Sequence, residues 1–393
     1  SFALARRRGI PRSSSVRSFS SSVHEDSLHP VIDVSPVITP NHPDRERTVT
    51  RIGQALRARG YFYAQNVSVL SEEYINSVYD YSRRIHSLPV NVKRQFSQRN
   101  GHGAYSGLDI GQAELAYDPN TISSVRAWDY SRTRFTLKKS DEPQQNRYPE
   151  TALIEPSYVD FMDDLYERQN VLGHALMVAF AESLGLAGHT FADMFTGLRN
   201  NSGVEEAGMN QMEQEMGKMA EEDPGDFGTI RLLSYPEINE SDAKEANMGI
   251  SAHTDFEAFT LMHQDAPGLQ FIPASGEGWI DAPVRPGEFV VIIGDVLERF
   301  TNGLLRATPH RVILTPHHRQ SIIRFNAVTA DTLIAPLPQF VDEGRGEPSK
   351  YSPVTMRTHM ETTMRNLELG LGAWDHDEQV SLTATYDYSR DES

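Results

Sequence analysis

The 393-residue chain contains no cysteine. Disulfide bonds, thiolate metal ligands, cysteine-bound iron–sulfur clusters and cysteine nucleophiles are therefore excluded. Positive charge is also scarce, since 37 Lys and Arg stand against 54 Asp and Glu and give a formal net charge of −17. A nucleic-acid-binding protein needs a basic face, so this balance argues against that class. No apolar run approaches the roughly 20 residues of a membrane span, and the densest, Phe289 to Ile293, has the length of a buried strand.

Residues 1–28 differ in composition from the rest of the chain. No acidic residue occurs between Ser1 and His24, and serine is abundant there. An arginine-rich, serine-rich and acid-poor start is typical of a mitochondrial transit peptide. We therefore expect a mitochondrial location, and a cytoplasmic one if this leader is a disordered basic tail without a targeting role. The arginines of the leader are Arg6, Arg7, Arg8, Arg12 and Arg17.

Composition divides the remaining chain into five segments. Residues 29–197 mix strand-like runs with helical spacing, and residues 198–228 form a Met- and Glu-rich flexible insertion or lid. Short β-rich runs broken by Gly and Pro fill residues 229–340, which predicts a sandwich or barrel. Residues 341–372 contain a C-terminal helix, and residues 373–393 are expected to form a polar tail.

Helical and alternating spacing predicts the main local elements. Strands are expected at His29 to Val34 and at Tyr61 to Ala64. Methionines recur at helical spacing inside the insertion, which favours core packing over a mobile lid helix. These methionines are Met209, Met212, Met216 and Met219. The expected helices run from Arg47 to Gly60, from Ser71 towards Leu88, from Ser157 to Leu184 and from Pro353 to Leu369.

The clearest chemical signal is the tripeptide His253-Thr254-Asp255. Residues i and i+2 of a strand point to the same face, so one imidazole and one carboxylate can reach one ion. A third ligand on another strand would give two histidines and a carboxylate with open positions, the geometry of non-haem Fe(II) oxygenases. His310 is the candidate, because the intervening residues suffice for several strands and a return to the metal.

A His-x-acid pattern alone carries little weight in so acidic a chain. With 14 histidines and 54 acids in 393 residues, chance predicts roughly two matches, and the sequence contains six. Only His253 lies between residues that suit a strand, with Phe256 to Met262 continuing the sheet. The other matches fall in the leader, a Pro-flanked loop, a turn, a predicted helix and the tail: His24, His42, His263, His359 and His376.

A second signal follows at Arg319-Gln320-Ser321. A guanidinium and a hydroxyl on one face of a strand make a fork for a carboxylate, whereas the alternative for Arg319 is a surface ion pair. We expect Arg324 to face out or to pair with an acid. Arg231 should do the same unless it meets an anionic substrate.

Taken in order, these motifs resemble those of the Fe(II)/2-oxoglutarate-dependent dioxygenases of the isopenicillin-N-synthase-like family. The resemblance covers about residues 29–365. It implies an α+β fold with a double-stranded β-helix (jelly-roll, cupin-like) core over residues 229–340, flanked by helices. The matching motifs are Pro30-Val31-Ile32-Asp33, Gly60-Tyr61-Phe62, Leu88-Pro89, Gly103-Ala104-Tyr105-Ser106-Gly107, His253-Thr254-Asp255, Gly294-Asp295, Asn302-Gly303, His310-Arg311-Val312 and Arg319-Gln320-Ser321.

The resemblance also implies roles and a reaction. His253, Asp255 and His310 would be the iron ligands, while Arg319 and Ser321 would hold the distal carboxylate of 2-oxoglutarate. With Fe(II), 2-oxoglutarate and O2, such an enzyme oxidises a C–H bond of a small-molecule metabolite, by hydroxylation, desaturation or cyclisation, and releases succinate and CO2. Secondary metabolism or catabolism is the expected setting.

Two further assignments are less specific. Tyr235 matches a tyrosine that often contacts the same cosubstrate, and core packing is its alternative role. Many relatives carry Asn where this chain has Leu233, so we expect one hydrogen bond fewer to the cosubstrate. Substrate contacts are expected from aromatic residues beside the motifs, with Phe325 on the inward face of the Arg319 strand if alternation holds. These candidates are Tyr105, Phe256, Phe259 and Phe325.

Two alternatives stay open at this point. An oxidase of the same fold would need iron and O2 but no 2-oxoglutarate, and the carboxylate fork would then bind the substrate. A catalytically silent binding module is the other, although the intact set of three ligands speaks against it. For the protein as a whole, we expect a monomer with a small-molecule partner and no nucleic-acid or membrane partner.

Overall fold

The computed structural model describes residues 28–98, 103–111, 117–118, 121–132, 147–195, 228–239, 247–342, 348–375 and 380–383. The leader up to residue 27 and the insertion from 198 to 227, with its methionines, lie outside the described residues. In the part of the chain that is described, no helix is long and apolar enough to cross a membrane.

Short strands fill the second half of the chain, as the Gly- and Pro-broken pattern predicts. The first-half strands include Tyr61–Gln65, which extends the predicted strand by one residue. In chain order the strands are β1 (Val31–Asp33), β2 (Tyr61–Gln65), β3 (Tyr105–Gly107), β4 (Ile122–Ser123), β5 (Arg126–Tyr130), β6 (Thr229–Tyr235), β7 (Asn247–His253), β8 (Phe259–Gln264), β9 (Leu269–Phe271), β10 (Ile280–Asp281), β11 (Phe289–Ile293), β12 (His310–Ile313), β13 (Arg319–Asn326), β14 (Leu333–Ile334), β15 (Val354–Thr355), β16 (Trp374–Asp375) and β17 (Val380–Ser381).

The predicted helices are confirmed to within a few residues at their ends. The 3₁₀ turns among the described residues are Ser68–Leu70, Arg94–Phe96, Leu108–Ile110 and Pro338–Phe340. The α-helices are α1 (Ser35–Ile38), α2 (Arg45–Arg59), α3 (Glu72–His86), α4 (Val90–Lys93), α5 (Tyr158–Ser183), α6 (His189–Ala192), α7 (Asp295–Phe300) and α8 (Met356–Glu368).

Two sheets form the core. The larger has eight strands in the order β1-β2-β11-β8-β13-β6-β5-β3, and the smaller has five in the order β10-β9-β12-β7-β4. Neighbours are antiparallel except for the pairs β1–β2 and β4–β7. Buried residues from both sheets belong to one hydrophobic cluster between them. The α+β prediction with a jelly-roll core is therefore confirmed.

Strand alternation divides the larger sheet into two faces. Ile323 of β13 belongs to the cluster between the sheets, together with Ile250 and Leu269 of the smaller sheet. Its neighbour Ile322 belongs instead to the cluster that contains Leu172 of α5. Because successive side chains of a strand point to opposite faces, the parity of a position decides whether its side chain reaches the interior or the helices.

The start of α5 and the end of α2 have clear local causes. The Ser157 hydroxyl caps α5 by accepting a hydrogen bond from the Asp160 amide (3.2 Å), which satisfies one of the free amides of the first turn. Helix α2 ends at Arg59 because Gly60 adopts a left-handed conformation with φ of 81°. A side chain at Gly60 would also meet Thr308, since a Cβ there would lie 2.2 Å from its Oγ1. Gly60 thus joins the first half of the chain to the approach to β12.

The expectation of a polar tail from residue 373 is wrong where the structure describes this segment. Trp374–Asp375 and Val380–Ser381 pair as a two-stranded sheet. Trp374, Ser381 and Thr383 are buried. Polar composition misled the prediction, because hydroxyl groups can be buried when they are hydrogen-bonded to one another.

Candidate active site

The three predicted metal ligands converge. His253 ends β7 and pairs in register with His310, the first residue of the antiparallel strand β12. Asp255 follows in the loop to β8. Nε2 of His253 and Nε2 of His310 lie 3.7 and 3.6 Å from Oδ1 of Asp255. The candidate ligand atoms all lie within 4.8 Å of one another, and the three side chains are buried.

Backbone carbonyls orient both imidazoles. Nδ1 of His253 lies 2.8 Å from the carbonyl oxygen of Ser251, and Nδ1 of His310 lies 3.0 Å from that of Thr308. A carbonyl only accepts, so Nδ1 of each ring carries the proton and the lone pair of Nε2 faces Asp255. Burial, followed by the neighbouring His310, holds the pKa of His253 well below its usual value. His253 is therefore a neutral ligand near neutral pH.

Two residues that the sequence did not single out support these ligands. The Thr260 hydroxyl donates to Oδ2 of Asp255, which leaves Oδ1 directed at the histidines. The Tyr117 ring stacks on His253 with centroids 4.1 Å apart and an interplanar angle of 6°. Thr260 is the first residue of β8 whose side chain faces the interior. Its role could not be predicted from the sequence, because the loop before β8 breaks the alternation of side chains.

The donor set fits a ferrous ion. Two imidazole nitrogens and one carboxylate oxygen are the ligand types that Fe(II) oxygenases use, with the remaining positions open. Among the described residues, no fourth His, Asp or Glu joins this group. The arrangement can therefore hold a metal and leave room for further ligands.

Arg319 is the second candidate part of the site. It is 2% exposed, so a surface ion pair is wrong for this residue. Its acceptors among the described residues are neutral: the Ala266 carbonyl oxygen at 3.2 Å, Gln264 Oε1 at 3.1 Å and, at 3.5 Å, the Ser321 hydroxyl. The neighbouring Asp265 carboxylate accepts from the Gln320 amide instead (2.6 Å). A buried guanidinium whose hydrogen-bond acceptors are neutral is suited to bind an anion, which would offset its desolvation.

Tyr235 lies beside this guanidinium. It faces Arg319 across strands β6 and β13, and the guanidinium carbon lies 4.6 Å from the centre of its ring. Burial raises the pKa of Tyr235, and the Arg319 charge opposes this shift. Leu233 faces Ser321 and is buried in the interior. Its side chain offers no hydrogen bond there.

Two of the predicted substrate contacts pack on the helix side of the larger sheet. Tyr105 packs in the helix-side cluster, 4.7 Å between centroids from Trp128, and its hydroxyl donates to Asp109 (2.7 Å). Phe259 lies in the same cluster, where it meets Phe180 edge-on at 5.3 Å. Both lie close to a motif in sequence but have the parity that faces the helices.

The other two candidates lie on the side of the loop that contains Asp255. Phe256 follows Asp255 and meets Tyr117 at 5.9 Å, edge to face. Phe325 is half-buried against the cluster between the sheets, so the parity argument from Arg319 holds for it. Phe256 and Phe325 can therefore contribute apolar surface near the ligands.

Arg231 and Arg324 differ in their surroundings. Arg231 makes two hydrogen bonds to Asp129, at 2.7 and 2.8 Å, which confirms the expected acid partner. Its guanidinium also lies 5.8 Å from the Phe325 ring. Arg324 is buried over the Tyr166 ring at 3.9 Å, so the expectation that it faces out is wrong, and within the described ranges it pairs with no acid. A cation–π contact replaces the carboxylate there.

Glu257 adds a buried acid to the loop after the ligands. It is 6% exposed. Burial, followed by the charge of Asp255, raises the pKa of Glu257 to about 8. Without a bound cation, this group is therefore largely protonated near neutral pH.

Two sequence-family models match the chain in the regions that carry these residues. The model of the 2OG-Fe(II) oxygenase superfamily matches residues 227–327. The model of the non-haem dioxygenase N-terminal region in morphine synthesis matches residues 29–150. The first match contains the three candidate ligands as well as Arg319 and Ser321.

Individual proteins are similar over most of their length. A 2-oxoglutarate-Fe(II) type oxidoreductase of Metarhizium rileyi is 27% identical, with 76% of this chain and 80% of that protein covered. A homoarginine-6-hydroxylase of Arabidopsis thaliana is 28% identical, with 78% and 87% covered. A full-length Neurospora crassa protein, crystallised with alpha-KG and thymine, has a TM-score of 0.67 at 20% identity, with 88% and 98% covered.

Proposed function

Because the chain belongs to the Fe(II)/2-oxoglutarate-dependent dioxygenases of the isopenicillin-N-synthase-like family, we propose that His253, Asp255 and His310 hold its iron. It is an oxidoreductase that oxidises a C–H bond of a small molecule and uses Fe(II), 2-oxoglutarate and O2. The observation that supports the ligand roles most directly is the convergence of three buried ligand atoms within 4.8 Å. When bound, the iron couples decarboxylation of 2-oxoglutarate to succinate and CO2 with oxidation of the substrate.

The protein's own contribution begins with the direction of its ligands. The Ser251 and Thr308 carbonyls keep the Nε2 atoms of both histidines unprotonated. Thr260 donates to the second carboxylate oxygen of Asp255, which leaves the first oxygen available to a metal. Preorganised ligands lose less entropy on binding than ligands that must first be ordered.

Arg319, Ser321 and Tyr235 are proposed to hold the distal carboxylate of 2-oxoglutarate. The support is the buried guanidinium whose described acceptors are neutral. A carboxylate there would form charge-assisted hydrogen bonds to Arg319, and the Ser321 hydroxyl could donate as well. The Leu233 side chain adds no further donor.

The substrate is proposed to be a small apolar or ring-bearing molecule. Phe256 and Phe325 provide the apolar surface near the ligands. The paired charges of Arg231 and Asp129 lie next to Phe325 and could orient a polar substituent. A substrate screen scored by succinate release would identify the class, and turnover confined to aliphatic compounds would contradict the aromatic-wall proposal.

The cosubstrate assignment is tested with Arg319→Ala. Losing charge-assisted hydrogen bonds worth about 1.5–3 kcal/mol should raise the KM for 2-oxoglutarate by about 10–100-fold. Succinate release against 2-oxoglutarate concentration measures it, and the weak visible charge-transfer band of the anaerobic Fe(II)/2-oxoglutarate complex checks binding.

Arg311→Ala is the matched control for this experiment. Arg311 is one residue from His310, but it bonds Gln270 (2.8 Å) and lies over the Trp279 ring at 4.3 Å. The KM for 2-oxoglutarate should therefore stay unchanged. An Arg319→Ala enzyme with an unchanged KM would refute the cosubstrate assignment.

Location and assembly are further proposals. The leader composition supports a mitochondrial address, and a reporter fused to residues 1–28 should then enter mitochondria. A reporter that stays in the cytoplasm would contradict this. We also propose a monomer without nucleic-acid or membrane partners, for which the net charge of −17 is the support against nucleic acid. Light scattering of the purified chain would measure its mass in solution.

A further inference from the structure

Thr254 lies between two of the proposed iron ligands. Because side chains alternate along an extended chain, Thr254 points away from the side that His253 and Asp255 share. It is buried, and its hydroxyl donates to Oδ1 of Asp295 (2.8 Å) and lies 2.7 Å from Oγ of Ser381. The contacts of Thr254 therefore limit how far both ligands can turn.

Asp295 ties this loop to the start of α7. Its amide donates to the carbonyl oxygen of Asp255 (2.9 Å), and its side chain is fully buried. Its second carboxylate oxygen accepts from the Thr383 hydroxyl. Oγ1 of Thr383 lies 2.8 Å from Oγ of Ser381. Thr254, Asp295, Thr383 and Ser381 thus form a closed circuit of side-chain hydrogen-bond contacts, which we call the polar ring.

The same C-terminal segment also contacts the aromatic residue that covers His253. The Ala373 amide donates to the Tyr117 carbonyl oxygen (2.8 Å), and the Leu382 amide donates to the Ala373 carbonyl oxygen (2.9 Å). Tyr117 in turn stacks on His253. The segment therefore reaches the ligands by two routes, one through the polar ring and one through Tyr117.

We propose that Ser381 and Thr383 are positioning residues of the iron site, which act through Thr254 and Asp295 on His253 and Asp255. The inference rests on the proposed iron-binding function. Neither hydroxyl contacts the metal ligands directly. Groups that orient metal ligands through hydrogen bonds typically change metal affinity by about 10–100-fold when they are removed.

Thr383 is the most informative position in the polar ring. Valine has nearly the same shape and removes only the hydroxyl, so Oδ2 of Asp295 loses its donor. One described neighbour of that oxygen is Nε2 of His359, 4.0 Å away. This nitrogen lies closer to the Phe256 carbonyl oxygen, at 3.2 Å. His359 could therefore replace the Thr383 donor only with a movement of α8.

The test compares Thr383→Val, Thr383→Ser and Thr332→Val in the full chain. Thr332 pairs its hydroxyl with Thr329 (2.6 Å) between β13 and β14, so its valine variant is the matched control. Anaerobic competition with a chelating dye gives the apparent Kd for Fe(II), without cosubstrate or turnover. Thermal unfolding of the iron-free proteins gives Tm. We expect Thr383→Val to weaken Fe(II) binding by about tenfold or more, and Thr383→Ser and Thr332→Val to bind as the wild type does.

Each outcome decides the proposal. A folded Thr383→Val protein that binds Fe(II) as tightly as the wild type would overturn it, even with a lower Tm, because the ring would then be structural alone. If that variant does not fold, Ser381→Ala replaces it, because both donors to Asp295 remain in that protein. Unchanged Fe(II) affinity of Ser381→Ala would overturn the proposal, and weakened affinity would support it. A wild-type chain that binds no Fe(II) would instead contradict the proposed function.

Discussion

Gly249→Ala should weaken 2-oxoglutarate binding by displacing the Tyr235 ring. A Cβ at Gly249 would lie 2.7 and 2.9 Å from Cδ1 and Cε1 of Tyr235 and 3.0 Å from Cγ1 of Val312. Carbon atoms pack at about 3.5–4.0 Å, so the ring or the strand beneath it must shift by roughly 0.8 Å. Overpacking of this kind costs about 1–3 kcal/mol.

The shift bears on the cosubstrate because the ring is packed against Arg319. The guanidinium carbon lies 4.6 Å from the ring centre, and a displacement close to 1 Å changes the geometry offered to a carboxylate. If about 1.4 kcal/mol of the free-energy cost of overpacking weakens binding of the carboxylate, the KM for 2-oxoglutarate rises about tenfold. The kcat at saturating 2-oxoglutarate should change less, because the iron ligands are untouched.

Succinate release over a 2-oxoglutarate series measures this effect, with Tm as a check on folding. Gly173→Ala is the control, because its Cβ would lie 3.0 Å from Asn326 Oδ1 on the helix side of the sheet. Crowding there should lower Tm without moving KM. A folded Gly249→Ala enzyme with the wild-type KM would refute the link between Tyr235 and the carboxylate site.

Two further predictions concern the ligands and the stability of the fold. Thr260→Val removes the donor to Oδ2 of Asp255 and should weaken Fe(II) binding by about 10–100-fold, as measured by competition with the chelating dye. Thr260→Ser should bind Fe(II) as the wild type does. Equal Fe(II) affinities of Thr260→Val and the wild type would contradict the supporting role of Thr260. Burial lowers the pKa of His86 to about 3, so between about pH 6.5 and 3 the unfolded chain binds the extra proton and stability falls as pH falls. Urea unfolding at several pH values should show His86→Gln reducing this slope by up to about 1.4 kcal/mol per pH unit. An unaltered slope for His86→Gln would show that His86 is not the source.

The convergence of the ligands could be anticipated because it depends on local geometry. An i, i+2 pair at the end of a strand places His253 and Asp255 on one side, and His310 opens the strand that pairs with β7. The position of Phe325 followed from counting along one uninterrupted strand from Arg319. The helix ends at Ser157 and Gly60 followed from helical spacing, and the structure adds a capping hydroxyl at Ser157 and a left-handed Gly60.

Proximity to a motif in the sequence did not predict which face of the sheet a side chain occupies. Phe259 stands four residues after Asp255, but the intervening loop breaks the alternation, and Thr260 rather than Phe259 faces the ligand. Tyr105 pairs across the sheet with Trp128 on the helix side. Sequence spacing cannot fix the register between a loop and the strand that follows it.

Contacts that join distant segments were beyond the reach of pattern reasoning. Ser381 and Thr383 lie in a polar stretch that favours a tail by composition. Their burial depends on Asp295 and Thr254, which lie far away in the chain. A hydroxyl-rich segment has no periodic apolar pattern. Its packing against the core therefore cannot be predicted without knowing which residues it contacts.

Charge balance explains why this core tolerates buried ions. Asp255 and Arg319 are both buried, and each would be costly alone. In the proposed assignment, the two positive charges of a ferrous ion and that of Arg319 would offset the charges of Asp255 and the two carboxylates of 2-oxoglutarate. Neutral acceptors such as Gln264 and the Ala266 carbonyl hold the guanidinium in place without cancelling its charge. An aspartate at position 264 would satisfy Arg319 within the protein and thereby remove the reason for it to bind a carboxylate.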